Sequence, residues 1–133
     1  MCAGCQGSPA AAPAPAAVQT PAPTGSMEEQ RAEVTDLVRN VFAAMADRDC
    51  ARLESLLAGR AKQRLTDGGG CEHVLETEPE SLDMALVRME TPRHDGRAPG
   101  TWMVRLLTRS QEDEQPVQVR VEWTAQGFRL VNM

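Results

Sequence analysis

Four cysteines and two histidines are the residues of this chain with the most chemical potential, and their spacing sorts them into separate problems. Cys50 and Cys71 stand 21 positions apart, each at the start of an apolar run of helical period. Two cysteines in an otherwise cysteine-free stretch suggest a structural disulfide if the chain is exported. In the chain-entropy account, closing a loop of that size contributes about 3 kcal/mol. Two other readings stand beside it: buried free thiols acting as small apolar side chains, and a nucleophilic thiol. The nucleophile would need a base. His73 lies two residues past Cys71 and on a helix would point elsewhere.

The remaining candidates are scattered. His94 belongs to the polar stretch Pro92-Arg93-His94-Asp95-Gly96-Arg97, which reads as a solvated turn. Asp83 and Glu122 fall at strand positions on polar faces, and Glu122 beside Arg120 reads as half of a cross-strand ion pair. No nucleophile, base and orienting group can be assembled from these residues. No His, Asp or Glu cluster has metal-ligand spacing, and Gly68-Gly69-Gly70 lacks the following Lys and Ser/Thr of a phosphate loop. The sequence therefore predicts no catalytic residue, no metal and no cofactor.

The other cysteines open the chain as Met1-Cys2-Ala3-Gly4-Cys5-Gln6-Gly7-Ser8. Ala3-Gly4-Cys5 matches the last three positions of a bacterial lipobox, with Cys2 where Leu is usual. On that reading Cys5 carries the lipid, and a charged and apolar leader precedes Met1. A redox or metal-binding Cys-x-x-Cys, and a pair of incidental cysteines, are the alternatives. Residues 1–26 contain no charged side chain, five prolines, eight alanines and Val18 as their one large aliphatic. Such a segment cannot bury enough apolar area to offset the entropy of ordering it, so an extended tether is expected.

All charge thus falls in residues 27–133, which are long enough for one core. Ser26 and Glu29 have capping-box spacing, and Val34, Leu37, Val38, Val41, Phe42 and Met45 form one apolar helical stripe. Asp49 caps a second, shorter helix carrying Cys50, Leu53, Leu56 and Leu57, ended by Gly59. Residues 61–65 add a turn, and Cys71 begins another short helix that stops before Pro79. The period then changes to strands at 84–89, 101–109, 117–124 and 128–132, with breaks at 92–100 and 111–116. Short connections favour an antiparallel meander. The expected class is α+β, with the N-terminal helices in the concavity of a curved sheet of about four strands. Phe42, Leu53, Leu56, Leu57, Val119, Val121 and Trp123 form the expected core.

A net charge of -5, the absence of any basic run and only four aromatic side chains argue against nucleic acid as partner. No stretch reaches the length of a membrane helix.

The long first helix VTDLVRNVFAAMADRDCARLESLLAG, a short helical region and a closing aromatic strand GFRLVNM resemble the nuclear transport factor 2-like superfamily over residues 28–133. The small exported members of that cone-shaped fold are the nearest likeness, and in them a Cys after the first helix pairs with one after a Gly-rich loop. Taken with the lipobox at Cys5, the expected protein is a lipid-anchored cell-envelope protein that binds an envelope protein or a small apolar ligand, with dimerisation through the sheet as a further option. Met84, Met89, Met103 and Met133 would make an adaptable ligand lining. An isomerase- or cyclase-like enzyme would need Asp83, His73 or Glu122 as base. Enzymatic relatives also line their pocket with Tyr, which this chain lacks. A non-catalytic interaction domain is the leading expectation.

Overall fold

The computed structural model describes residues 22–133; the expected lipid-bearing Cys5 and most of the expected tether lie outside the described residues. The first helix, α1 (Met27–Ala46), opens on the expected capping box. The Glu29 amide donates to Ser26 Oγ at 3.1 Å and the Ser26 amide donates to Glu29 Oε1 at 2.7 Å. Two of the four amides that a helix start leaves unpaired are thereby satisfied. The predicted stripe from Val34 to Met45 is buried along its whole length.

Asp49 caps α2 (Cys50–Leu56), its Oδ1 accepting from the Arg52 amide at 3.2 Å. This helix ends before the predicted stop at Gly59. Leu57 is extended and bridges to Leu130, and the Ala58 amide donates to the Leu130 carbonyl at 3.0 Å. Pairing to the last strand thus captures the chain first, and Gly59 opens α3 (Gly59–Asp67) instead. Helix α4 (Cys71–Thr77) follows the glycine run, and a 3-10 turn, Pro79–Leu82, leads into the sheet.

The sheet comprises β1 (Ala85–Met89), β2 (Arg93–His94), β3 (Thr101–Ser110), β4 (Asp113–Thr124) and β5 (Gly127–Asn132). All its pairings are antiparallel, in the order β1-β3-β4-β5, with β2 beside β1 along the same edge of β3. The break expected at 92–100 therefore holds a fifth, two-residue strand. Strands β1 and β2 amount to one lane interrupted at Pro92, which has no amide to give to the ladder. The break expected at 111–116 shrinks to a tight turn in which Gln111 has φ 58°. Residues 113–116 join β4 despite their strand-poor types. They extend the hairpin with β3 where β5 leaves the other edge of β4 uncovered.

One face of this open sheet packs on the helices. Trp102, Val104, Leu106, Val119, Val121, Phe128 and Leu130 meet the α1 stripe and Leu53 in a single buried cluster. Phe42, Leu53, Val119 and Val121 are fully inside as expected, whereas Leu56, Leu57 and Trp123 sit at its margin. Trp102 is the largest fully buried side chain, a central position that its strand pattern did not announce. Its ring is flanked by His94, edge-on at 5.1 Å, and by the Arg31 guanidinium 5.6 Å from the centroid.

Candidate functional site

Alternation along a strand sends every second side chain to the face away from the helices. On β3 these are Met103, Arg105, Leu107 and Arg109; on β4 they are Glu114, Pro116, Gln118, Arg120 and Glu122. No element of the described chain covers them. The register adds Arg93 of β2, opposite Met103, and Arg88 of β1, opposite Leu107.

Charges on this face are unevenly satisfied. Arg109 pairs with Glu114 across the hairpin, and Arg120 pairs with Glu122 at 2.9 Å. The Arg120–Glu122 pair runs along one strand, correcting the expected cross-strand contact, because the two residues are alternate neighbours on β4. Among the described residues, no hydrogen bond or ion pair engages the guanidinium groups of Arg88, Arg93, Arg97 and Arg105. Two adjoining shallow hollows contain them. One, of 410 Å3, is lined by Arg88, Arg105, Leu107, Pro116 and Gln118, with the Glu90 carboxylate among them. The other, of 310 Å3, is lined by Arg93, Arg97, Met103, Arg105 and Gln118, with His94 and Asp95 at its side. Arg105 and Gln118 are shared, so the hollows form one continuous strip.

Residues 22–83 hold seven basic and thirteen acidic side chains, and residues 84–133 hold seven basic and six acidic. The helical layer is thus strongly acidic while the sheet is balanced, with its free cations gathered on the uncovered face.

Among the known families, curated proteins and solved structures compared, none matches this chain. The residues themselves therefore carry the functional argument.

Cys50 and Cys71 are joined by a disulfide with Cα atoms 5.5 Å apart. The bond ties α2 to α4, and Cys71 is 1 % exposed, so it is a cross-link of the core. His73 lies exposed on α4, while His94 belongs to β2 and leans on Trp102 rather than occupying a free turn. Asp83 is exposed just beyond the 3-10 turn, before β1 begins, and not on a strand. Glu122 is engaged by Arg120 on the opposite side of the sheet from the core. These four residues are distributed over separate elements. Among the described residues no group of three His, Cys, Asp or Glu side chains is placed to hold a metal ion.

A further hollow of 420 Å3 lies between the helices and the sheet, lined by Val41, Leu53, Leu65, Val74, Met84 and Met133 among others. Met84 and Met133 converge there; Met103 lies in the arginine strip and Met89 beside Arg31. The expected four-methionine lining is thus split over three places.

The sequence supplied Arg105 and Arg109 as residues of a strand, yet not their company with Arg88 and Arg93. That company depends on how strands 85–89 and 93–94 align with β3.

Proposed function

We propose that this chain is a non-catalytic interaction domain, held at the bacterial cell envelope by its N-terminal segment and meeting its partner through the uncovered face of the sheet. The row of unpaired arginines carries this reading. In a chain of net charge -5, four guanidinium groups with no hydrogen-bond or ion-pair partner among the described residues are gathered on one face beside Met103, Leu107 and Pro116. Arginine and methionine are enriched in protein interfaces, where a planar fork of donors and an adaptable apolar side chain both suit contact. The Cys50–Cys71 bond favours an oxidising compartment, in line with export. The Ala3-Gly4-Cys5 motif supplies the anchor in this reading, and the order of helices before an antiparallel sheet suits a nuclear transport factor 2-like scaffold.

A photo-crosslinking residue placed at Gln118, in the full reading frame and its native host, tests the surface. Discrete adducts from Gln118 and none from the same residue at Ser55, exposed on α2, are expected. Adducts from neither position, or from Ser55 alone, overturn the reading. Membrane fractionation of the Cys5→Ser variant tests the anchor; retention in the membrane pellet removes it.

The 420 Å3 hollow favours a second reading, a small apolar ligand held without chemistry. An environment-sensitive apolar dye displaced from wild-type protein but not from Leu65→Arg would support it.

A further inference from the structure

The arginine strip has a repeat, and the repeat names its occupant. Arg93 stands opposite Met103 and Arg88 opposite Leu107, with Arg105 between them on β3 and one carboxylate, Glu90, beside Arg105, whose carbonyl accepts the Glu90 amide. Three guanidinium groups therefore project from rows two residues apart. At a rise of roughly 3.4 Å per residue, successive rows lie about 7 Å apart. An extended peptide presents alternate side chains at the same interval on one side of its chain. We infer that this strip is the docking site for an extended acidic segment of a partner protein, carrying carboxylates at alternate positions. The inference rests on the interaction reading above and names the chemistry of the partner.

Each guanidinium offers paired donors that match a carboxylate in a planar, bidentate contact. The choice of cation fits that geometry: Lys62, on α3, is the one lysine of the chain, and every cation of the strip is arginine. Gln118, shared by both hollows, adds an amide able to donate to and accept from a bound backbone. Met103, Leu107 and Pro116 give the peptide's intervening side chains an apolar floor. A second copy of the same face is a poor occupant, since arginine would oppose arginine. An anionic lipid surface would meet the charge but has no such repeat.

The test uses the full chain and labelled synthetic peptides, read by fluorescence anisotropy at moderate salt. An alternating Glu-Thr peptide is compared with a block peptide of identical composition. The alternating peptide is expected to bind more tightly, and Arg105→Glu to weaken it about tenfold or more through loss of one pair and gain of a repulsion. Arg105→Lys should weaken it by a smaller factor, and Arg60→Glu, the same charge change on exposed α3, should leave it unaltered. Equal binding of the block peptide, or equal loss with Arg60→Glu, overturns the inference by reducing it to bulk charge. Binding to phosphatidylglycerol vesicles without binding to either peptide also overturns it. If crosslinking at Gln118 persists while no acidic peptide binds, the partner chemistry is wrong and the contact face stands. Unchanged melting of the Arg105 variants shows that binding, not folding, has been altered.

Discussion

Glu54 and Cys71 are linked across two helices: Glu54 Oε2 accepts the Cys71 amide at 3.1 Å. Helix α4 has glycine at its N-cap and no side chain of its own to satisfy its first amides. A carboxylate borrowed from α2 does so, one turn beyond the Cys50 that bonds to the same residue. The acceptor also sits at the positive end of α4, where a negative charge is favoured.

Replacing Glu54 with Ala should lower unfolding stability by roughly 1 kcal/mol, the usual worth of a lost helix-start acceptor. Glu54→Gln, which keeps an oxygen, should lose less. Urea denaturation with the disulfide intact measures both; an unchanged midpoint for Glu54→Ala would exclude a stabilising role for this contact.

Reduction acts on the same junction. Removing the Cys50–Cys71 bond, by thiol or by Cys50→Ser with Cys71→Ser, should lower stability by about 3 kcal/mol. Because Glu54 and the disulfide hold the same pair of helices, their effects should not add: Glu54→Ala is expected to shift the reduced protein differently from the oxidised one. Matched denaturation curves in the two redox states decide this.

Trp102 and Val121 face each other across β3 and β4 and are both 0 % exposed. Val121→Asp should abolish the cooperative melt, since a carboxylate there has no partner and no water. Trp102→Ala should cost about 3–5 kcal/mol. Trp102→Phe should cost less, because Trp102 Nε1 makes no hydrogen bond among the described residues and its removal leaves no orphaned acceptor. Near-ultraviolet circular dichroism and thermal melts of the two variants rank them.

Gly100 precedes β3 with φ +81°, a backbone conformation that side chains disfavour. A methyl group there would come within 3.0 Å of Trp123 Cβ and 3.6 Å of Pro23 Cδ. Gly100→Ala should therefore destabilise by ~1 kcal/mol or more and loosen the seat of Pro23. Limited proteolysis, comparing cleavage near residues 22–26 in variant and wild type, reads out the second effect. Identical cleavage would show that Pro23 is not held through Gly100.

The features legible in the sequence are those that depend on near neighbours. The α1 stripe and the Ser26–Glu29 box repeat within one or two helical turns, so residue spacing alone places them. The strand from Val117 to Trp123 was equally plain, its valines alternating with polar residues. Trp102 was not, because Trp102, Met103, Val104, Leu106 and Leu107 put large apolar groups on both faces of β3 and hide which is inward. The arginine strip lay further out of reach. Arg88, Arg93 and Arg105 become neighbours only through strand register, and register depends on pairings between distant parts of the chain. The composition of residues 113–116 predicts a break, whereas continuation of the β3 hairpin draws them into β4.

The first half of β4 has consequences for how copies of this protein behave at high local concentration. Its outer edge runs on past β5, an invitation for a strand from another molecule. Pro116 withholds an amide on that stretch, and Asp113 and Glu114 would bring like charges together in any fibril-like stack. Crowded side by side, the molecules would thus be kept from zipping together at the rim of the sheet.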